Sequence, residues 1–253
     1  VHVDVLLADV AAQVEQGAEH VTFGDPDFFN GVGHAMRVVE GVARRFPGVT
    51  YDVTIKVEHL LAHAHLLPRL RETGCLFVTS AVESFDNAIL RRLDKGHTRE
   101  DVVQAVALCR SAGLTLAPTF VPFTPWTTVE GYREMLAEIE RLEIVEHVAT
   151  IQLALRLLVT AGSPLRELDD VRARLGPFDS ERLIYPWRHA DARVDRLAEN
   201  VRALVGRRIA GGRRELFDAV WMLAHDGRVP ARVEHGPVAG RVEVPYLNEP
   251  WYC

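Results

Sequence analysis

Lysine is nearly missing from this chain of 253 residues. It occurs only at positions 56 and 95, and arginine supplies the other 27 of the 29 basic residues. That bias reads as the codon usage of a GC-rich genome rather than as arginine chemistry. Cysteine is also scarce: Cys75, Cys109 and Cys253 are too few and too scattered for a disulfide framework, and they fit a reducing cytoplasm. No apolar run approaches the roughly 18 residues needed to cross a bilayer. The opening Val1-His2-Val3-Asp4 lacks the basic-then-apolar signature of a signal peptide. Positive charge is not in excess either. The net charge is −6 with both signs interspersed, which gives no electrostatic reason to bind nucleic acid or a membrane surface.

What is present is regular alternation, in a chain long enough to bury one large core. Val5, Leu6, Val10 and Val14 recur at helical spacing, with Gly17 at the capping position. The run 20–23 is β-prone and ends at Gly24. A helix over 33–46 stops at Pro47-Gly48, and a strand rich in β-branched residues follows over 51–57. Helix is expected over 58–72, restarted at Pro68, and a strand over 75–79. Thr98 with Asp101 and Thr127 with Glu130 read as capping boxes opening two further helices, with a strand over 114–121 between them. A last strand is expected over 148–158. Strands beginning near 20, 51, 75, 114 and 148, each separated by a helix, predict βαβ units around a parallel sheet, as a barrel or an open doubly wound fold. Either arrangement puts ligand chemistry at the carboxyl ends of the strands.

Those ends carry polar residues that each have two readings. Gly24-Asp25-Pro26-Asp27 offers close backbone approach and acceptors for an ammonium group, or simply a turn. Glu83 beside Ser84 suits the vicinal hydroxyls of a ribose, or Ser84 is a helix cap. Lys95, next to Gly96, can neutralise a carboxylate or sit in a solvated loop. His59, His63 and His65 raise the alternative of a zinc-dependent barrel hydrolase. They fall in a helix-like run, where residues two apart point in different directions, and no carboxylate ligand is evident.

Taken together and in order, these elements resemble the radical S-adenosylmethionine (SAM) superfamily. The order is Gly24-Asp25-Pro26-Asp27, Lys56-Val57-Glu58-His59, Ser80-Ala81-Val82-Glu83-Ser84, Asp94-Lys95-Gly96-His97-Thr98 and Val121-Pro122-Phe123-Thr124-Pro125-Trp126. The resemblance covers about residues 3 to 165 and includes Leu158-Val159-Thr160-Ala161-Gly162-Ser163-Pro164-Leu165, like a sixth-strand ending. It is nearest the group with many cobalamin-dependent and tRNA-modifying members. It implies an α/β fold: a partial (β/α)6 barrel lacking its first strand over 1–165, a helical extension over 166–226 and an extended tail over 227–253.

The implied cofactors are SAM and a [4Fe-4S] cluster, with reductive cleavage of SAM to a 5′-deoxyadenosyl radical as the activity. The resemblance gives Gly24 and Asp25 to the SAM amino group, Glu83 and Ser84 to the ribose, and Lys95 to the SAM carboxylate, with Asp27 also in the cofactor-binding set. Val121 and Pro122 fall on the adenine side, and Lys56 joins the cofactor-binding set. The implied partners are an electron donor and a small-molecule or peptide substrate. Where the superfamily has Cys-x3-Cys-x2-Cys, this sequence has no such run, so it reads as an N-terminally truncated member without its cluster ligands and inactive alone. A cluster-free barrel that acts as a binding module is the other alternative. The ending Pro245-Tyr246-Leu247-Asn248-Glu249-Pro250-Trp251-Tyr252-Cys253 resembles the tail of a bacterial radical SAM family whose members finish in Cys-Cys-Ala-Glu-Pro or carry selenocysteine at the second position. That similarity implies a redox-active tail at Cys253 and a selenocysteine codon after it.

Overall fold

The computed structural model describes residues 1–208, 212–229 and 244; Cys253 and the rest of the tail lie outside the described residues. The elements in chain order are α1 (Val3–Glu15), β1 (His20–Thr22), α2 (Val32–Arg45), β2 (Thr50–Thr54), α3 (Val57–Ala62), α4 (Leu67–Glu72) and β3 (Cys75–Glu83). They continue with α5 (Asn87–Arg92), α6 (Arg99–Ser111), β4 (Thr115–Phe120), α7 (Val129–Arg141), α8 (Asp169–Arg172), α9 (Ala192–Arg208) and α10 (Arg213–Ala224). The sheet order is β1-β2-β3-β4, and β1–β2 and β2–β3 pair in parallel. This is the α/β alternation expected from the sequence. Among the described residues no helix is long and apolar enough to cross a membrane.

Two compact units emerge. The first comprises Val1–Val82 and Arg99–Pro118 together with Val244; the second comprises Glu83–Thr98 and, among the described residues, 119–208 and 212–229. In the first, one face of the sheet is covered and mostly apolar, with Ser80 buried on it and donating to the Ile55 carbonyl. Val21, Tyr51, Val53, Cys75, Val78 and Leu116 are all buried, and this burial is the main stabilising term. Helices α1 and α2 pack through a glycine. A Cβ at Gly41 would come within 2.9 Å of Leu7 Cδ1, so the bare backbone is what lets the helices close. Gly74, entering β3, has φ +106, and a Cβ there would lie 2.9 Å from the Val49 carbonyl, so geometry and space both demand glycine. The register slips by one residue on β3 between the Tyr51–Cys75 and Asp52–Phe77 pairs, a bulge at Leu76.

The helix expected over 58–72 is α3, a 3-10 turn over Ala64–Leu66, and α4, which restarts with Pro68 in its first turn as expected. Two expectations need correcting. The strand expected over 148–158 is a 3-10 helix over Thr150–Leu153 followed by one parallel bridge, Phe123 with Arg156. The segment is apolar at nearly every position, so periodicity could not separate the two forms. Gln152 turns inward to accept from the Phe120 backbone N–H at 2.9 Å. Finally, α7 is capped by Thr128, whose side chain accepts from the Gly131 N–H. Thr127 is buried instead and donates to the Pro122 carbonyl, tying down the loop after β4.

Candidate functional site

In the first unit, the residues after β1 and β2 form one hydrogen-bonded cluster. Asp25 Oδ1 accepts from the Asp27 N–H at 2.9 Å, so the Gly24–Asp27 segment is a tight turn. No atom lies within 4 Å of where a Gly24 Cβ would be, which leaves the backbone open to a ligand. Asp27 is almost completely buried. Its Oδ1 accepts from the Lys56 N–H at 3.3 Å and bonds His59 Nδ1 at 3.1 Å. Nδ1 also lies 2.8 Å from Oδ2 but out of line, so Oδ2 is left buried without an aligned donor. Lys56 Nζ stands 3.7 Å from the same oxygen. A buried carboxylate with unmet lone pairs is costly, and here it keeps acceptor capacity for an added donor.

His59 is therefore a carboxylate partner. His63 packs edge-on against Phe29, with ring centroids 5.7 Å apart. Among the described residues, no group of three or more His, Cys, Asp or Glu side chains is arranged to hold a metal ion.

In the second unit, Glu83 ends β3 with φ +66, a left-handed conformation that is strained for a glutamate. Two bonds hold it there: its carbonyl accepts from the Val121 N–H at 3.0 Å, and its carboxylate takes the Lys95 ammonium at 2.9 Å. Lys95 is thus an ion-pair partner of Glu83, and the two are brought together with Val121. Ser84 Oγ accepts from the Asp86 N–H, and Asp86 rather than Ser84 caps α5. Pro122 is fixed through its carbonyl by Thr127.

A further cluster in this unit was missed by sequence reasoning. Asp170 accepts from the Trp126 indole N–H at 2.8 Å and pairs with Arg92, whose guanidinium lies 5.1 Å from the Trp126 ring centroid. Burial opposes ionisation of Asp170, yet the Trp126 and Arg92 bonds hold its carboxyl below the usual carboxylate range. Trp126 was visible at the strand end. Its partners lie 34 and 44 positions away, at spacings without a periodic signal.

By their chemistry, the Asp25 and Asp27 carboxylates of the first unit suit an ammonium group, and Glu83 and Ser84 of the second suit hydroxyls. The cluster does not fit the described cysteines. Cys75 and Cys109 are fully buried; burial pushes both thiols up, Cys109 to about 12, and the charge of Asp52 adds to the effect at Cys75. Ligation requires thiolate.

Comparison with known proteins agrees. The family model described as "Radical SAM superfamily" matches residues 1–149. Among solved structures, the fold is similar to the cobalamin-dependent SAM radical enzyme OxsB. The form with aqua-cobalamin and SAM bound gives a TM-score of 0.70 at 16% identity, and the form with aqua-cobalamin alone gives 0.69 at 16%. In both cases 81% of this chain is covered and 37% of the other, so the chain spans little more than a third of these relatives. No curated protein matches it in sequence. By its fold and by the match over more than half its length, the chain belongs to the radical SAM superfamily.

Proposed function

We propose that this chain supplies the SAM-holding part of a radical SAM enzyme whose cluster-ligating cysteines lie outside the 253 residues. Bound SAM and its iron cluster supply the radical chemistry; the residues here bind and orient the nucleoside and exclude water. The observation that carries this reading is the strained Glu83, held by Val121 and Lys95 at a strand end within the matched region. Non-glycine residues persist in that conformation where the surroundings fix them, commonly at ligand sites. Asp25 and Asp27 take the SAM amino group, with Lys56 and His59 holding Asp27. Glu83 and Ser84 take the ribose, Val121 and Pro122 line the adenine, and Lys95 serves Glu83 and the SAM carboxylate with separate N–H groups.

The proposal extends to an electron donor, a small-molecule or peptide substrate, and a cytoplasmic setting. Within the superfamily, the likeness of the tail supports placing the chain in the group ending in Cys-Cys-Ala-Glu-Pro or its selenocysteine form, with Cys253 as a redox group. The test uses the longer gene product, reconstituted anaerobically with iron and sulfide. Reduction should release 5′-deoxyadenosine from SAM, and Glu83→Gln should weaken SAM binding by about tenfold, the worth of one lost charge-assisted pair of hydrogen bonds. A reading frame with no Cys-x3-Cys-x2-Cys, or a reconstituted protein that leaves SAM intact, overturns the proposal. Any codon other than UGA after Cys253 removes the selenocysteine assignment.

A further inference from the structure

The face of the sheet opposite the apolar one, in the first unit, is polar where β1 and β2 form it. The register places Thr22 level with Asp52, His20 level with Thr50, and Thr54 level with Thr79, so these side chains share one face. Asp52 is buried, yet Thr22 is exposed and Thr54 and Thr79 are partly so. A closed, side-chain-filled barrel needs branched apolar residues on its inner face. Here there is a carboxylate and a bank of hydroxyls. The apolar part of the same face, Phe77 with Ala117, is capped by Val244.

Hydrogen-bond accounting separates the roles at the centre of this face. His20 uses both ring nitrogens: Nδ1 meets Thr50 Oγ1 at 2.8 Å and Nε2 meets Asp52 Oδ1 at 2.9 Å. Thr22 donates to the same Oδ1 at 2.6 Å. The imidazole also stacks on Phe77, which pairs with Asp52 through the bulge, with centroids 6.1 Å apart. His20 is thereby fixed and has no free nitrogen for a ligand. Asp52 has one oxygen doubly engaged, while Oδ2 has no hydrogen-bond partner among the described residues. Two neighbours aim a largely buried carboxylate and leave its second oxygen unpaired among those residues.

We infer that Asp52 anchors a ligand site on this face that takes a protonated amine, with Thr22, Thr54 and Thr79 receiving hydroxyls of the same molecule. The class is a polar, polyhydroxylated amine, such as an amino sugar. A carboxylate mostly removed from water binds a cation more strongly than a neutral donor, and the adjacent hydroxyls both donate and accept. His20 is a positioning residue that acts through Asp52. The inference rests on the radical SAM reading only in calling this ligand a substrate; amine binding itself needs neither SAM nor a cluster.

The test is a titration of the ¹⁵N-labelled chain with glucosamine, with N-acetylglucosamine as the neutral counterpart. Glucosamine should move the Thr22, Asp52, Thr54 and Thr79 amides with a millimolar dissociation constant, as expected for a ligand of that size. N-acetylglucosamine should bind about tenfold more weakly, and Asp52→Asn should lose a similar factor for glucosamine. His20→Gln should weaken binding less than Asp52→Asn while shifting the Asp52 amide before any ligand is added. Equal binding of the two sugars, or glucosamine shifts that avoid these amides up to its highest soluble concentration, overturns the inference without needing any variant to fold. The cofactor reading is tested separately by 5′-deoxyadenosine release from the reconstituted longer gene product, so failure at Asp52 and failure of that reading are distinguishable.

Discussion

Raising the pH should unfold this protein through its two buried thiols. Cys75 and Cys109 are fully buried and favour the neutral form, Cys109 being pushed up to about 12. An unfolded cysteine ionises near 8.5. The raised folded value means that the contribution of each thiol is complete below about pH 8.5 and is lost as pH climbs towards the folded value. Near pH 10 the unfolded chain has gained about 1.5 pH units of ionisation that the folded one has not, or about 2 kcal/mol per thiol and ~4 for the pair. With a urea dependence at the upper end of about 1–3 kcal/mol per molar, the unfolding midpoint should fall by more than about 1 M between pH 8 and pH 10. The assay is urea unfolding followed by circular dichroism on a Cys253→Ser background. Cys109→Ala, though less stable at neutral pH, should show about half the alkaline slope. A midpoint that does not move, or rapid alkylation of both thiols by iodoacetamide at pH 8, would refute the reasoning and reopen these cysteines as ligands.

Other perturbations test the packing and the candidate site. Asp27→Ala strips the Lys56 N–H and His59 of their acceptor, and calorimetry should show a loss of about 2 kcal/mol. A melting temperature within a degree of the parent would count against that cluster. Gly74→Ala forces a side chain into a left-handed turn against the Val49 carbonyl, and should cost at least about 1–2 kcal/mol in the same experiment. Strand β1 is an edge of the sheet, paired only with β2 among the described residues, so the chain should associate as its concentration rises. Static light scattering checks this, and a sharp monomer at high concentration contradicts it.

The order of elements was legible in the sequence because it depends on local signals. β-branched runs mark β1 to β4, and glycines at positions 17, 48 and 113 end elements in positive-φ conformations that other residues resist. Gly24, Asp25, Asp27, Lys56, Glu83, Ser84, Val121 and Pro122 fall at strand ends, which can be counted along a chain, whereas Lys95 and the cofactor roles of all of them came from the resemblance to the radical SAM superfamily.

Which of these residues meet was decided by tertiary structure alone. Asp27 finds His59 across 32 positions, Arg92 finds Asp170 across 78, and Asp52 stands level with Phe77 through a one-residue bulge in the neighbouring strand. Within 148–158, Gln152 likewise meets the Phe120 N–H across 32 positions. Periodicity records which side of an element is apolar. Polar partners separated by whole βα units leave no periodic trace, and they are found only once the sheet has set their register.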